Sequence, residues 1–246
     1  NINQAYPRSY ITYGNVDFST IKSLKAEYQL SLPTMRLKGS YLLQFADGTG
    51  SNVNSAAALI QANQPNLRSL YPLQYDIRHK INASASFSLD SLAYNSKRKI
   101  FRNVNISIFS NTQSGTPYTA LITAIPEAQS LGNASRSQIK GNPFGSRMPW
   151  NSTIDLSISK GVIVREKAVI FQLSVTNLFN FSNIFNVYPY SSLASDDGYL
   201  SSPQGQQQIS NELNAQSFVN YYSLKQNNPS NFGQPRMINL TCRTTF

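Results

Sequence analysis

The chain carries few residues that can do covalent or metal chemistry, and their placement argues against a catalytic site. Its only histidine is His79, which falls on the same side of an alternating stretch as Ile77 and Ile81. A Ser–His–Asp hydrolase needs that ring beside a serine and a carboxylate in space, and nothing in the spacing singles out such a trio. One cysteine (Cys242), one histidine and dispersed carboxylates do not make a tetrahedral metal site. No glycine-rich loop suited to phosphate is present. The best cation candidate is Asp196-Asp197-Gly198, where paired carboxylates suit hard oxygen coordination. It lacks the full calcium-loop signature, so a plain turn is favoured. The expectation is a chain with no enzymatic activity, no cofactor and no metal. With a single cysteine no internal disulfide can form, and Cys242 reads as a small apolar filler.

What remains is electrostatic. There are 21 Lys+Arg against 11 Asp+Glu, a formal +10. A nucleic-acid binder of that charge would show a basic cluster. Here the tightest run is Lys97-Arg98-Lys99, and the other basic residues are scattered, many at alternate positions. No nucleic-acid partner is expected. No apolar run reaches the length of a membrane helix, but a β-barrel spans a bilayer without one, so the mean hydropathy of −0.32 leaves a membrane protein open. The sequence starts at Asn1 with no visible signal peptide, as a mature product, a fragment or part of something longer would.

The polar residues are positioned by strands. Period-two alternation predicts seven of them: about Phe18 to Leu32, Met35 to Ala46, Ile77 to Asp90, Arg102 to Asn111, Trp150 to Lys160, Lys167 to Asn177, and the stretch from Pro235 to Phe246. In the third, Ile81, Ala83, Ala85 and Phe87 alternate with Lys80, Asn82, Ser84 and Ser86, so its second face must meet water. In the last, Ile238, Leu240 and Cys242 oppose Asn239, Thr241 and Arg243, and the chain ends on the aromatic Phe246. An edge strand of a soluble sandwich is the competing reading of that stretch alone.

The connections decide between the two. Ser31–Thr34, Ser91–Phe101 and Gly161–Glu166 are short; Asp47–Asp76, Thr112–Pro149 and Leu178–Gln234 are long, and the two classes alternate. Long structureless loops are uncommon in compact soluble domains. Short periplasmic turns and long extracellular loops are the rule in outer-membrane barrels. The expected fold is all-β: an antiparallel transmembrane β-barrel, with lipid on one face and a wet lumen on the other. Tyr28, Tyr41, Trp150 and the Tyr71/Tyr75 pair fall near strand ends, as an aromatic girdle would. Seven strands cannot close a single-chain bacterial barrel, which takes an even number. The whole of residues 1–246 is therefore expected to be a partial barrel domain, with further strands elsewhere. An eighth strand within Tyr6–Asn15 is the weaker option.

Five stretches carry a family resemblance. They are Tyr71-Pro72-Leu73-Gln74-Tyr75-Asp76-Ile77-Arg78-His79, Ser114-Gly115-Thr116-Pro117-Tyr118-Thr119, Arg147-Met148-Pro149-Trp150 followed by Asp155 to Lys160, Asn177-Leu178-Phe179-Asn180, and Asn228 to Arg236. In this order they resemble the C-terminal barrel of TonB-dependent outer-membrane receptors, in particular the large Bacteroidota type (carboxypeptidase-regulatory-like, Oar-like or SusC-like). The resemblance covers residues 71 to 246; residues 1 to 70 fit by pattern only. The plug and the TonB box of that family are not in this sequence.

The resemblance implies a barrel of about 22 strands, plugged, and importing a large or scarce solute across the bacterial outer membrane. The long loops would be extracellular and the C-terminus periplasmic. Implied partners are the lipid bilayer and lipopolysaccharide, a plug domain and the remaining strands, TonB through an N-terminal segment, and a surface lipoprotein. Arg78 and Lys80 would face the lumen near the outer mouth, with Asn82 below them. Asp155 would lie lower on its strand, Asn239 and Arg243 on the last strand, and Arg236 on the outer rim. These lumen residues are candidates for plug or solute contact. Phe246 resembles the assembly signal. Alternatives are a non-transporting receptor-like subunit of an outer-membrane complex, and a passive porin. In a bacterial chain the Asn-x-Ser/Thr matches at Asn82, Asn105, Asn133, Asn151 and Asn239 are chance, and Asp90-Ser91-Leu92 resembles a short Bacteroidota O-glycosylation motif. Gln206 to Lys225 reads as outer loop with a short helix.

Overall fold

Alternation makes each strand two-faced, and its backbone N–H and C=O groups then require neighbours. The computed structural model describes residues 2–3, 9–10, 14–15, 17–52, 69–89, 101–126, 138–164 and 167–244. In chain order the strands are β1 (Ile2–Asn3), β2 (Ser9–Tyr10), β3 (Ser19–Ser31), β4 (Met35–Gly48), β5 (Tyr71–Pro72), β6 (His79–Ser88), β7 (Val104–Gln113), β8 (Pro117–Tyr118), β9 (Ser146–Arg147), β10 (Asn151–Val164) and β11 (Lys167–Thr176). Helices α1 (Pro203–Asn211) and α2 (Ala215–Gln226) follow, then a 3-10 turn at Pro229–Asn231 and β12 (Met237–Thr244).

The seven long strands form one antiparallel meander in the order β12-β11-β10-β7-β6-β4-β3, with β5 added at the end of β4. They occupy the seven stretches that alternation marks. Among the described residues β1 pairs only with β2, so Ser9–Tyr10, the paired part of the Tyr6–Asn15 stretch that is described, adds no stave to this sheet. No pairing joins β3 to β12 among the described residues; the sheet is open, and no closed barrel is formed. Phe246, Lys97-Arg98-Lys99, Asn133 and Asp90-Ser91-Leu92 lie outside the described residues.

Register sorts the two faces completely near the middle of the sheet. One row runs Leu30, Leu37, Ala85, Ile108, Leu156, Val175, Ile238. The adjacent row, on the opposite face, runs Ser31, Arg36, Ser86, Ser107, Ser157, Ser174, Asn239. A slip of one residue in any strand would exchange its two faces. Hydroxyl pairs stitch the polar face, as in Ser86 with Ser107 at 3.2 Å.

The apolar band does not follow the rows; it slants across them. On β4 and β6 it reaches up through Tyr41, Leu43 and Ile81, whereas on β7 and β10 Thr112 and Ser152 occupy the row of Ile81. At the other end the apolar side of β6 is followed by Leu89, whose N–H reaches the Val104 carbonyl, while β10 and β11 continue further through the Val162–Val169 pair. Charged residues on the apolar side, Lys22, Asp47 and Lys167, sit toward strand ends; Lys160 lies within the band, where its Nζ donates to the Arg102 carbonyl at 2.5 Å.

No second layer of described elements packs on this face. Leu24 is 66%, Ile238 65% and Leu240 77% exposed. The buried apolar cluster lies elsewhere, where the last two long connections meet: Ala124 of one with Tyr199 and Tyr222 of the other, and Leu200 and Phe218 against them. Where one short helix was expected there are two. Ser202 caps α1 by accepting from the Gly205 N–H at 3.1 Å, and Asn214 caps α2 by accepting from the Ser217 N–H at 3.0 Å.

Candidate functional site

All three long connections meet at one end of the sheet, and there the chain buries polar side chains. Asp76 is fully buried. Its Oδ1 accepts from the Ala46 N–H at 3.0 Å, fixing the segment that enters β6 to the top of β4. Its other oxygen meets the Arg147 guanidinium. Arg147 Nη1 also donates to the Asp76 carbonyl at 2.9 Å and to the Gly115 carbonyl at 3.3 Å. Three of the five motifs thus close on a single ion pair. Gly115 is required: a Cβ there would collide with the Met148 backbone.

Arg78 belongs to the same clamp. Its Nε lies 3.5 Å from Asp76, within ion-pair reach but too long for a good hydrogen bond, and its guanidinium lies 5.0 Å over the Phe45 ring. Phe45 is on the apolar side. Arg78 is therefore engaged at the rim, by Asp76 and by the Phe45 ring. Next to it, His79 stacks between Tyr41 (6.1 Å) and Trp150 (5.6 Å), and Tyr41 Oη lies 2.9 Å from its Nδ1. This aromatic trio lies along the upper edge of the apolar face.

The other motifs also make joints. Asn177, buried and left-handed at φ 53°, donates from Nδ2 to the Phe181 and Gln234 carbonyls, both at 3.0 Å. Its Oδ1 accepts from the Phe181 N–H at 2.9 Å. Asp155 Oδ1 accepts from the Asn177 N–H at 2.8 Å, so this carboxylate caps a turn near the loop end of β10, higher than expected. Asn183 copies a strand: its amide pairs with both the N–H and C=O of Ser152 at 2.8 Å. Asn180 Oδ1 holds the Arg236 N–H at 2.9 Å. Asp197 accepts from the Tyr222 hydroxyl at 2.5 Å and the Tyr199 N–H at 2.9 Å, and Asp196 from the Gly198 N–H at 2.8 Å. Both carboxylates of the calcium candidate thus close their own turn and core.

Tyr71 donates to the Thr49 carbonyl at 2.9 Å. Burial, and secondarily the Asp17 carboxylate, push its phenol above the usual tyrosine value.

The remaining expected site residues share the polar face without forming one cluster. Lys80 and Asn82 stand on β6, opposite Gln113 and Asn111 of β7. Asn239 and Arg243 stand on β12, opposite Ser174 and Ile170. Arg36 and Lys38 on β4, absent from the expected set, share the face with Lys80; their alternation with Leu37 and Gly39 was the signal that marks them. No group of three metal-ligating side chains occurs among the described residues. A scan against protein-family models finds no match, and searches of curated proteins and of solved structures find none either.

Proposed function

We propose that this chain is part of the wall of a bacterial outer-membrane β-barrel, and that the whole barrel is a TonB-dependent receptor that takes up a solute. The observation that carries the reading is the uncovered apolar face backed by a polar one, in register across seven strands. A soluble sheet covers its apolar face with a second layer. Lipid is the alternative cover, and the polar face then lines a watery lumen.

The slant of the apolar band supports it. Strands of a barrel tilt by about 35–45°, so a flat hydrocarbon slab cuts hydrogen-bonded rows obliquely. The terminal placement of Lys22 and Lys167 suits stems that lie along lipid with heads at the interface. Tyr41, His79 and Trp150 fit an aromatic girdle. Edges left open in hydrocarbon would strand backbone groups, so β3 and β12 pair with further strands in the membrane. The receptor part of the reading rests on the five ordered motifs, four of which supply joints at the end that would face outward and the fifth the run into β12.

Cysteine labelling of intact cells tests orientation, in a Cys242→Ser background. Asn142→Cys, in a long connection, is expected to react with an impermeant maleimide. Pro33→Cys, in the turn between β3 and β4, is expected to react only after the outer membrane is opened. The reverse pattern, or a protein that fractionates away from membranes, ends the proposal.

A further inference from the structure

We propose that the polar face over β4 and β6 binds a small organic solute bearing several negative groups. This rests on the lumen reading of that face and names the class of solute. Arg36 and Lys38 lie two residues apart on β4, and Lys80 stands on the adjacent strand, opposite Leu42. Their cross-strand neighbours are Ser31 and Ser86, Gln29 and Ser84, and Leu42 and Gln113, all uncharged. Sheets commonly set opposite charges across strands; here three cations have none.

The acids of the face are engaged. Glu27 pairs with Lys25 at 2.5 Å, and Asp155 caps Asn177. Among the described residues no ion pair includes Arg36, Lys38 or Lys80. Arg36 and Lys38 are exposed, and Lys80 is half-buried.

The spacing sets a length. Two residues of strand span roughly 7 Å, so Arg36 and Lys38 are that far apart, and Lys80 lies about 14 Å further along. Between Lys38 and Lys80 is a shallow depression of about 350 Å³, where Lys38, Ser40, Asn82 and Ser84 offer donors suited to phosphate, sulfonate or carboxylate oxygens; the one carboxylate that lines it, Glu27, is paired with Lys25. Phe109 also lines it, 45% exposed on the polar face, and offers an apolar surface to a carbon skeleton. Three separated cations, neutral donors between them and one aromatic fit an organic polyanion better than a neutral or cationic solute.

The test uses the full-length protein in detergent and pyranine, a trisulfonated pyrene, read by fluorescence anisotropy. Pyranine is expected to bind, to be displaced by tripolyphosphate, and to weaken with rising salt. Lys38→Gln with Lys80→Gln is expected to weaken binding about tenfold, from two lost charge contacts of modest size. Lys38→Arg is expected to keep it, and so is Lys22→Gln, which alters the apolar side. Heat-modifiable migration of each variant reports barrel assembly separately, so a protein that assembles yet ignores the dye sinks this inference and leaves the barrel standing. Equal binding by the double variant, or a full-length protein whose other parts already neutralise these cations and exclude the dye, also overturns it.

Discussion

The sheet and the end that carries the long connections are held together in opposite ways. In the sheet, identity is set by phase: apolar residues share one face, polar ones the other, and no single side chain is decisive. At the connection-bearing end the decisive groups are individual buried polar side chains, Asp76, Asn177, Asn183 and Asp197, each satisfied by a partner distant in sequence. A face can absorb substitutions that keep its phase. A buried polar joint cannot, because a lost partner leaves a desolvated group behind.

The sharpest way to break the comparison is a charge on the wrong face. Ile158→Arg, in the middle of β10 and opposite Ile106 and Leu173, is expected to cost about 3–4 kcal/mol in a bilayer. Ser159→Arg, one residue away on the polar face, is expected to stay within about 0.5 kcal/mol. Denaturant titration of the full-length protein in liposomes measures both. Equal costs would mean that the two faces meet the same medium.

Next comes the joint. Asp76→Ala leaves Arg147 and Arg78 without their shared carboxylate and the Ala46 N–H without an acceptor. Removing one partner of a buried pair costs about 3–5 kcal/mol, and the partly exposed arginines place this case near about 3. Protease cleavage within the long connections is expected to rise while the strands persist. Sheet and joint melting together would show that they are one cooperative unit.

Asn177→Ala is expected to cost about 2 kcal/mol, from lost hydrogen bonds and a left-handed backbone that alanine disfavours. Asn177→Gly removes the backbone part of that cost and keeps the amide part, so it should fall between alanine and wild type. A glycine variant as stable as wild type would assign Asn177 to backbone geometry alone.

The same contrast explains what the sequence made legible. β7 was expected at about Arg102 to Asn111 and lies at Val104–Gln113; β11 was expected at Lys167 to Asn177 and ends at Thr176. Period two survives any choice of partner strand, so it can be read locally. The Arg147–Asp76 clamp spans 71 positions and leaves no periodic trace. The motifs that resemble a receptor family did mark its parts, but as segments with no stated contact. Asn183 was invisible for a different reason: a side-chain amide that takes over a strand's hydrogen bonds looks like any loop asparagine. At Arg78 alternation reports only the direction of Cβ, and the long guanidinium reaches a ring on the other side.

The smallest effect concerns Tyr71, where the joint meets titration. Its phenol must be neutral to donate to the Thr49 carbonyl, and burial together with Asp17 opposes the phenolate. The folded-state value lies above that of the unfolded chain, so the folded form holds its proton where the unfolded form has lost it. Stability from this group is therefore complete below about pH 10 and is lost as pH rises through the raised value. Tyr71→Phe should cost only about 1 kcal/mol at neutral pH. It should also remove from the phenolate absorbance one component that titrates above the free tyrosine value, leaving the rest of the curve in place. A Tyr71 component that titrates at or below the free tyrosine value would mean that water reaches the phenol, and that this part of the joint is no more buried than the sheet.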